Sequence, residues 1–256
     1  MSLNINYIKK IFKNKSATIG VIGLGYVGLP LIMAFIHKNF HVYGFDIDKK
    51  KIRDLKNGVS YINQISSKEI KRHTLSKKFE PTNDFSKISL VDVILICVPT
   101  PLDKYKKPDL SYIISTGNLI LPFIKKNQLI VLESTTYPGT CQEILKPILE
   151  RNGLKSGKNI FLAYSPERED PGNADFATSS IPKIIGGHCP DSLALAEAMY
   201  NQVIKSIVPV KTMKTAEAVK ITENVFRESY VSTIGVDVKN HVFKVKGKLV
   251  KLQICK

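Results

Sequence analysis

From Ser16 onward the chain alternates between short β-branched apolar runs and longer stretches with helical spacing. The apolar runs at 18–22, 41–45, 91–98, 129–132, 160–163 and 183–185 each predict a strand. Several, such as Leu129-Ile130-Val131-Leu132, have no polar interruption, which is the pattern of parallel strands covered on both faces. Helical spacing occupies 26–38, 49–57, 110–124, 140–151 and 191–202, and a last helix over 213–226 leaves the sheet. Alternation of this kind predicts an α/β fold, a doubly wound parallel sheet followed by the start of a helical central domain. The expected divisions are a basic, poorly specified leader over 1–15 and the sheet domain over 16–211. The start of the helical domain follows over 212–227, with a tail of different character over 228–256.

A length of 256 residues suffices for one large or two modest domains with real cores. The net charge of +16 raises the question of an anionic partner: nucleic acid, a lipid surface or a nucleotide. The lysines are scattered, as in Lys49-Lys50-Lys51, Lys77-Lys78 and Lys125-Lys126, so they form no defined stripe and fit solvated faces. Nucleic acid is therefore not expected as a partner. Residues 17–36 form an apolar run of roughly the 20 residues a spanning helix needs. They include Gly23, Gly25, Gly28 and Pro30, and no small-residue cleavage site follows at His37-Lys38-Asn39. A strand, a turn and a buried helix in series give the same hydropathy, so no membrane association is expected. Cys97, Cys141, Cys189 and Cys255 show no C-x-x-C spacing and no accompanying histidine cluster. Neither a metal site nor a disulfide framework is expected, and a reducing cytoplasm fits.

Gly23-Leu24-Gly25-Tyr26-Val27-Gly28 is a G-x-G-x-x-G that follows the run 18–22 and opens an apolar helix. A second strand ends in Asp46, 18 residues after Gly28, near the spacing of a ribose-binding acid. In this Rossmann-type context each part has a physical task. Gly23 permits the tight turn, Gly25 lets the backbone approach a pyrophosphate, and Gly28 allows helix and strand to pack closely. Free N–H groups at the helix start then meet the phosphate charge, and Pro30 falls in the first turn, where a missing N–H costs little. Asp46 favours NAD over NADP, because a carboxylate accepts from the ribose 2′-hydroxyl and repels a 2′-phosphate. The alternative is that Asp46 caps the helix that follows.

Ile22-Gly23-Leu24-Gly25-Tyr26-Val27-Gly28-Leu29-Pro30 also resembles the opening of the UDP-glucose/GDP-mannose dehydrogenase family. Further blocks arrive in that family's order: Gly44-Phe45-Asp46-Ile47-Asp48, Cys97-Val98-Pro99-Thr100-Pro101-Leu102 and Glu133-Ser134-Thr135-Thr136-Tyr137-Pro138-Gly139-Thr140. Tyr164-Ser165-Pro166-Glu167-Arg168-Glu169-Asp170-Pro171-Gly172 and Lys220-Ile221-Thr222-Glu223-Asn224 follow. The resemblance runs from Ser16 to about Arg227 and is strongest to the branch acting on UDP-N-acetylhexosamines, with UDP-glucose the next substrate in line. It implies an NAD-dependent oxidation of a UDP-sugar C6 hydroxyl to the uronate, for polysaccharide precursors, in a homodimer. Tyr26 and Val27 would contact the cofactor pyrophosphate, Asp46 the adenosine ribose with Lys51 beside it, and Thr100 and Thr135 the nicotinamide side. Thr135, Glu167, Lys220 and Asn224 would serve catalysis, and Glu167, Arg168, Lys220 and Asn224 would contact the sugar nucleotide. Taken singly, each has a plainer reading: Thr135 as a strand-end residue, Glu167 with Arg168 as a surface ion pair, Lys220 as a solvated lysine.

The family's nucleophile lies in a Gly-Gly-His-Cys-x-Pro-x-Asp motif beyond the central helix. Gly186-Gly187-His188-Cys189-Pro190 imitates it but precedes Lys220 and lacks the spacing, so Cys189 is expected to be a turn residue. Cys97 is expected in a strand core and Cys141 in a helix's first turn. Residues 228–237 and the run ending Lys251-Leu252-Gln253-Ile254-Cys255 resemble a segment of a Rab-type small GTPase, expected as a two-strand ribbon. No G-x-x-x-x-G-K-[ST] accompanies it, so GTP binding is not expected. The expectation is an incomplete form of the dehydrogenase, joined near Arg227 to a foreign tail. The alternative is an NAD-binding remnant or fusion without turnover.

Overall fold

The computed structural model describes residues 5–101, 108–167, 182–228, 240–245 and 248–253. They fall into two compact units, 1–221 and 222–256.

The first unit is built on eight strands: β1 Thr18–Ile22, β2 His41–Phe45, β3 Phe79–Thr82, β4 Val93–Ile96, β5 Leu129–Leu132, β6 Phe161–Tyr164, β7 Lys183–Gly187 and β8 Ile207–Val210. Their order across the sheet is β3-β2-β1-β4-β5-β6-β7-β8. All pairings are parallel except β6 with β7, so β7 and β8 run against the rest. The six strands expected from apolar runs are present within two residues of their anticipated ends. The uninterrupted runs are buried on both faces. Val93, Leu95, Leu129 and Val131 join one core layer, while Ile94, Ile96, Ile130 and Leu132 join the other. The strand order reverses between β1 and β4, which leaves a crevice at the carboxyl ends of the strands, where open α/β sheets receive ligands.

The helices are α1 Ile5–Lys13, α2 Gly28–His37, α3 Lys49–Lys56, α4 Ser67–Leu75, α5 Ser111–Ile120, α6 Lys146–Leu149, α7 Pro190–Tyr200 and α8 Met213–Glu228. A π-helical turn, Thr140–Leu145, leads into α6, so the helix anticipated over 140–151 is wider at its start than an α-helix.

The pattern did not predict β3, α4 or β8, and it placed α1 in a poorly specified leader. Both missed strands are sheet edges and both contain proline, Pro81 in β3 and Pro209 in β8. Val42 and Asp46 bond the carbonyls of Lys78 and Thr82, so alternate residues face β2 and Pro81 faces the open side. Lys183 likewise bonds the Ser206 carbonyl, which turns Pro209 outward. An edge strand tolerates the missing N–H on its open side, and proline there discourages pairing with another chain. The leader assignment is corrected in its helical part. Ile8 and Phe12 are buried and α1 packs against α7, because Ile5, Ile8 and Phe12 share one face between lysines.

The second unit holds the end of α8 and an antiparallel ribbon of β9 Asn240–Val245 and β10 Lys248–Gln253, with Val245 opposite Lys248.

Candidate functional site

A cavity of about 590 Å³ opens at the carboxyl ends of β1, β2, β4 and β5. The three glycines of the turn after β1 serve it in three different ways, Gly23 and Gly25 in its lining and Gly28 by packing. Gly23 has φ +93°, donates its N–H to the Phe45 carbonyl at 2.8 Å, and a Cβ there would lie 2.6 Å from the Cys97 carbonyl oxygen. Only glycine adopts that conformation at little cost. A Cβ on Gly28 would lie 1.9 Å from the Gly23 carbonyl oxygen, so α2 packs on the turn with no room for a side chain. Gly25 lines the cavity and nothing lies within 4 Å of where its Cβ would be. Its missing side chain serves no internal contact and leaves backbone open to an incoming group. That is the arrangement a pyrophosphate needs, and α2 begins with no side-chain cap on its N–H groups. The residues therefore fit a dinucleotide.

Asp46 is 7% exposed. Its Oδ2 accepts from the Leu24 N–H at 2.9 Å and from Lys51 Nζ at 3.3 Å, and its Oδ1 accepts from the Asp48 N–H at 2.9 Å. The cap of α3 is instead Asp48, whose carboxylate accepts from Lys50 and Lys51 N–H groups. Asp46 thus ties the glycine turn to the end of β2 and lines the cavity with Lys51, Tyr26 and Val27. Tyr61 completes this end. Its hydroxyl donates to the Leu24 carbonyl at 2.6 Å, and burial, reinforced by Asp46, Asp48 and Asp54, raises its pKa far above the ordinary phenol value. Tyr61 lies 37 residues along the chain from Leu24 and has no sequence signal.

At the other end, two hydroxyls stitch β5 to β4. Thr100 Oγ1 donates to the Thr135 carbonyl and Ser134 Oγ donates to the Val98 carbonyl, each at 2.6 Å. Thr100, Thr135 and Glu167 all line the cavity. Lys220 Nζ donates to the Glu167 carbonyl at 2.6 Å, which brings α8 to the residue at the cavity edge. Arg168 and the Asn224 side chain lie outside the described residues.

Three buried groups at this end were not anticipated. Glu217, one helical turn before Lys220, accepts from the Gly139 N–H at 2.5 Å and the Cys141 N–H at 2.9 Å. It therefore caps the π-helical turn from outside, in place of a local side chain. Burial pushes its carboxyl upward against the opposing pull of those two N–H groups. Lys183 and Tyr200 converge on Glu133: Lys183 Nζ lies 2.7 Å from Oε2, and the Tyr200 hydroxyl donates to Oε1. Their partners are distant in sequence, so no spacing rule reports them.

Cys97, Cys141 and Cys189 fall as expected, and Cys255 lies outside the described residues. Cys97 and Cys141 are buried, and burial with Glu217 alongside pushes the Cys141 thiol well up, away from the reactive range. Cys189 immediately precedes α7, half-buried, with Sγ 3.3 Å from Ser192 Oγ. The Gly186-Gly187 pair before it has a packing cause. A Cβ on Gly186 would meet the Thr212 carbonyl oxygen at 2.4 Å, and one on Gly187 the Leu193 nitrogen at 2.4 Å. A separate surface group, His37, Glu69 and His73, has ligand atoms within 4.8 Å of one another. His37 Nε2 is 2.6 Å from Glu69, and Arg72 sits 3.1 Å from His73 Nε2, so the cluster is already internally bonded. Among the described residues no helix is long and apolar enough to cross a membrane.

Comparison with known proteins agrees with this geometry. The chain is 34% identical over 222 residues to the UDP-N-acetyl-D-glucosamine 6-dehydrogenase of Pseudomonas aeruginosa, covering 86% of this chain and 52% of that protein. It is 34% identical over 251 residues to the UDP-N-acetyl-D-mannosamine dehydrogenase of Methanococcus aeolicus, covering 94% of this chain and 54% of that protein. That coverage leaves out less than the length of 228–256, so the alignment enters the tail. The solved UDP-D-ManNAc dehydrogenase of Pyrococcus horikoshii superposes with a TM-score of 0.76 at 33% identity, covering 82% of this chain and 50% of that one. The chain spans about half the length of the curated relatives it matches. Residues 17–204 match the NAD binding domain of the UDP-glucose/GDP-mannose dehydrogenase family, and the chain belongs to that family.

Proposed function

We propose that the cavity binds NAD and serves oxidation of the C6 hydroxyl of a UDP-sugar to the uronate, for polysaccharide precursors. The substrate is a UDP-N-acetylhexosamine in preference to UDP-glucose, in keeping with the names of the relatives. The observation that carries the reading is one cavity in which the open backbone of Gly25, the Asp46 carboxylate and the Thr100–Thr135 pair all meet.

In this reading Gly23, Gly25, Tyr26, Val27 and Gly28 hold the pyrophosphate. Asp46 accepts from the adenosine ribose with Lys51 alongside, and Thr100 and Thr135 border the nicotinamide. When bound, the dinucleotide supplies the hydride acceptor. Glu167 and Arg168 orient the sugar nucleotide. Lys220, held at the cavity edge by the Glu167 carbonyl, places an ammonium group where negative charge develops on the C6 oxygen, with Asn224 one turn further along the same helix. A preorganised cation in a water-poor site stabilises such charge far more than one in water. The second oxidation requires a thiol that captures the aldehyde, and no thiol among the described residues is assigned that part.

The same proposal places the chain in the cytoplasm, in keeping with free Cys97, Cys141 and Cys189. It takes 16–211 as the NAD-binding domain, 212–227 as the start of a central domain that dimerises, and 228–256 as a separate tail. The test is reduction of NAD by this chain, or by this chain extended after Arg227 with a relative's C-terminal half. Reduction that requires UDP-N-acetylglucosamine and is largely lost in Lys220→Ala supports it. Activity unchanged by Lys220→Ala would remove the lysine from the chemistry, and absence of NAD binding would end the proposal.

A further inference from the structure

Glu133 stands at the end of β5, lines the cavity beside Thr135, and is only 1% exposed. Its carboxylate holds Lys183 Nζ at 2.7 Å on one oxygen and the Tyr200 hydroxyl on the other. Lys183 Nζ also lies over the Tyr200 ring, 5.0 Å from its centroid, and both residues are buried. Burial, reinforced by Glu133, pushes the Tyr200 hydroxyl well up, so it remains a donor. The group is thus one anion in the lining of the cavity, with one cation and one neutral donor bonded to it, and no net charge.

Stability does not account for it. A buried ion pair loses so much hydration that apolar residues of similar volume serve as well or better. Its place in the sheet suggests another use. Asp46 ends β2, and β1 and β4 separate β2 from β5. Glu133 is therefore three strand spacings away, roughly 14 Å. In a doubly wound sheet the two halves of a dinucleotide lie on opposite sides of the crevice. With the adenosine at Asp46, the nicotinamide half falls toward β4 and β5, an inference that rests on the proposed NAD site. The oxidised nicotinamide ring carries one positive charge and the reduced ring none.

We propose that Glu133, with Lys183 and Tyr200 as its positioning residues, keeps the cleft balanced between oxidised and reduced nicotinamide dinucleotide, so that neither form is held too firmly. The Glu133 carboxylate favours the cationic ring, Lys183 offsets that attraction, and Tyr200 fixes the carboxylate's orientation. A neutral pair keeps both forms exchangeable: an unopposed carboxylate would hold the oxidised form too firmly, and an unopposed ammonium would repel it.

The test is the ratio of dissociation constants for reduced and oxidised NAD, measured by titration on the full chain, with no turnover required. Lys183→Met is expected to shift the ratio toward the oxidised form by about tenfold, and Glu133→Gln to shift it the opposite way by a similar factor, as a unit charge near a partly buried site gives. The double variant Glu133→Gln/Lys183→Met removes both charges and is expected to return the ratio to within about twofold of the parent. Tyr200→Phe keeps both charges and is expected to move the ratio less than either charge change. A merely structural role would weaken both forms alike and leave the ratio fixed, and that result in both single variants overturns the proposal. Failure of the unmodified chain to bind either form would instead overturn the NAD site itself.

Discussion

The two ends of the cavity are built by different means. At the β1–β2 end the work is done by backbone and by the absence of side chains: three glycines within six residues, and one carboxylate that ties the turn to the next strand. At the β5 end it is done by side chains that travel far to meet. Glu217 reaches back 78 residues to Gly139, Lys220 reaches 53 residues to Glu167, and Lys183 reaches 50 residues to Glu133. Apart from Tyr61, the first end is a local device, so its parts carry spacing and position. The second end exists only once the sheet is assembled, so Glu217, Lys183 and Tyr200 carry neither.

Substitutions should separate the two ends. The largest effect is expected for Gly28→Ala, whose Cβ would lie 1.9 Å from a backbone oxygen. A loss of about 3 kcal/mol in unfolding free energy, read by denaturant titration, accompanies any loss of cofactor binding there. At the β5 end, Glu217→Ala strands two buried N–H groups and should cost about 2–4 kcal/mol, while Glu217→Gln, with one acceptor oxygen and an amide nitrogen that cannot accept, should restore at most about half of it. Retention of full stability in Glu217→Ala would show that the clamp on the π-helical turn is dispensable.

Glu217 also gives the β5 end a pH signature. Its folded pKa is raised above the ordinary carboxylate value, so its contribution is fully present below that value and is lost as pH rises through the folded pKa. Stability of the wild type relative to Glu217→Gln should therefore fall as pH climbs from the ordinary carboxylate pKa through the raised one. A relative stability that rises across that window would reverse the assignment. A smaller effect is expected at Asp46. Asp46→Asn should weaken NAD binding by roughly tenfold, about 1.4 kcal/mol, and narrow the gap to NADP. Least of all, Cys189→Ser should change stability by under about 0.5–1 kcal/mol and leave NAD affinity alone, since Gly186 and Gly187 explain the motif by packing.

The same division explains what could be read from residues alone. Gly23, Gly25, Gly28 and Asp46 were assignable because turn, approach and packing each demand glycine at a fixed offset. The central strands were assignable because burial on both faces leaves continuous apolar runs. β3 and β8 escaped because Pro81 and Pro209 suppress a strand signal that an edge does not require. α1 escaped because lysines at 9, 10 and 13 masked the Ile5, Ile8, Phe12 face. α4 did leave a mark: Ser66 and Glu69 have capping-box spacing, and Ser66 Oγ accepts from the Glu69 N–H at 3.2 Å. Glu217 left none, because a carboxylate on a helix ordinarily signals a solvated surface.

The central claim is that the turn at Gly25 is an open cradle for a dinucleotide pyrophosphate, and calorimetric titration of NAD into the full chain and into Gly25→Ala tests it directly. One saturable site is expected in the wild type. Affinity should fall at least about tenfold in Gly25→Ala, with an unchanged melting temperature, since the added Cβ meets no protein atom within 4 Å. Equal NAD affinity in the two proteins would contradict it.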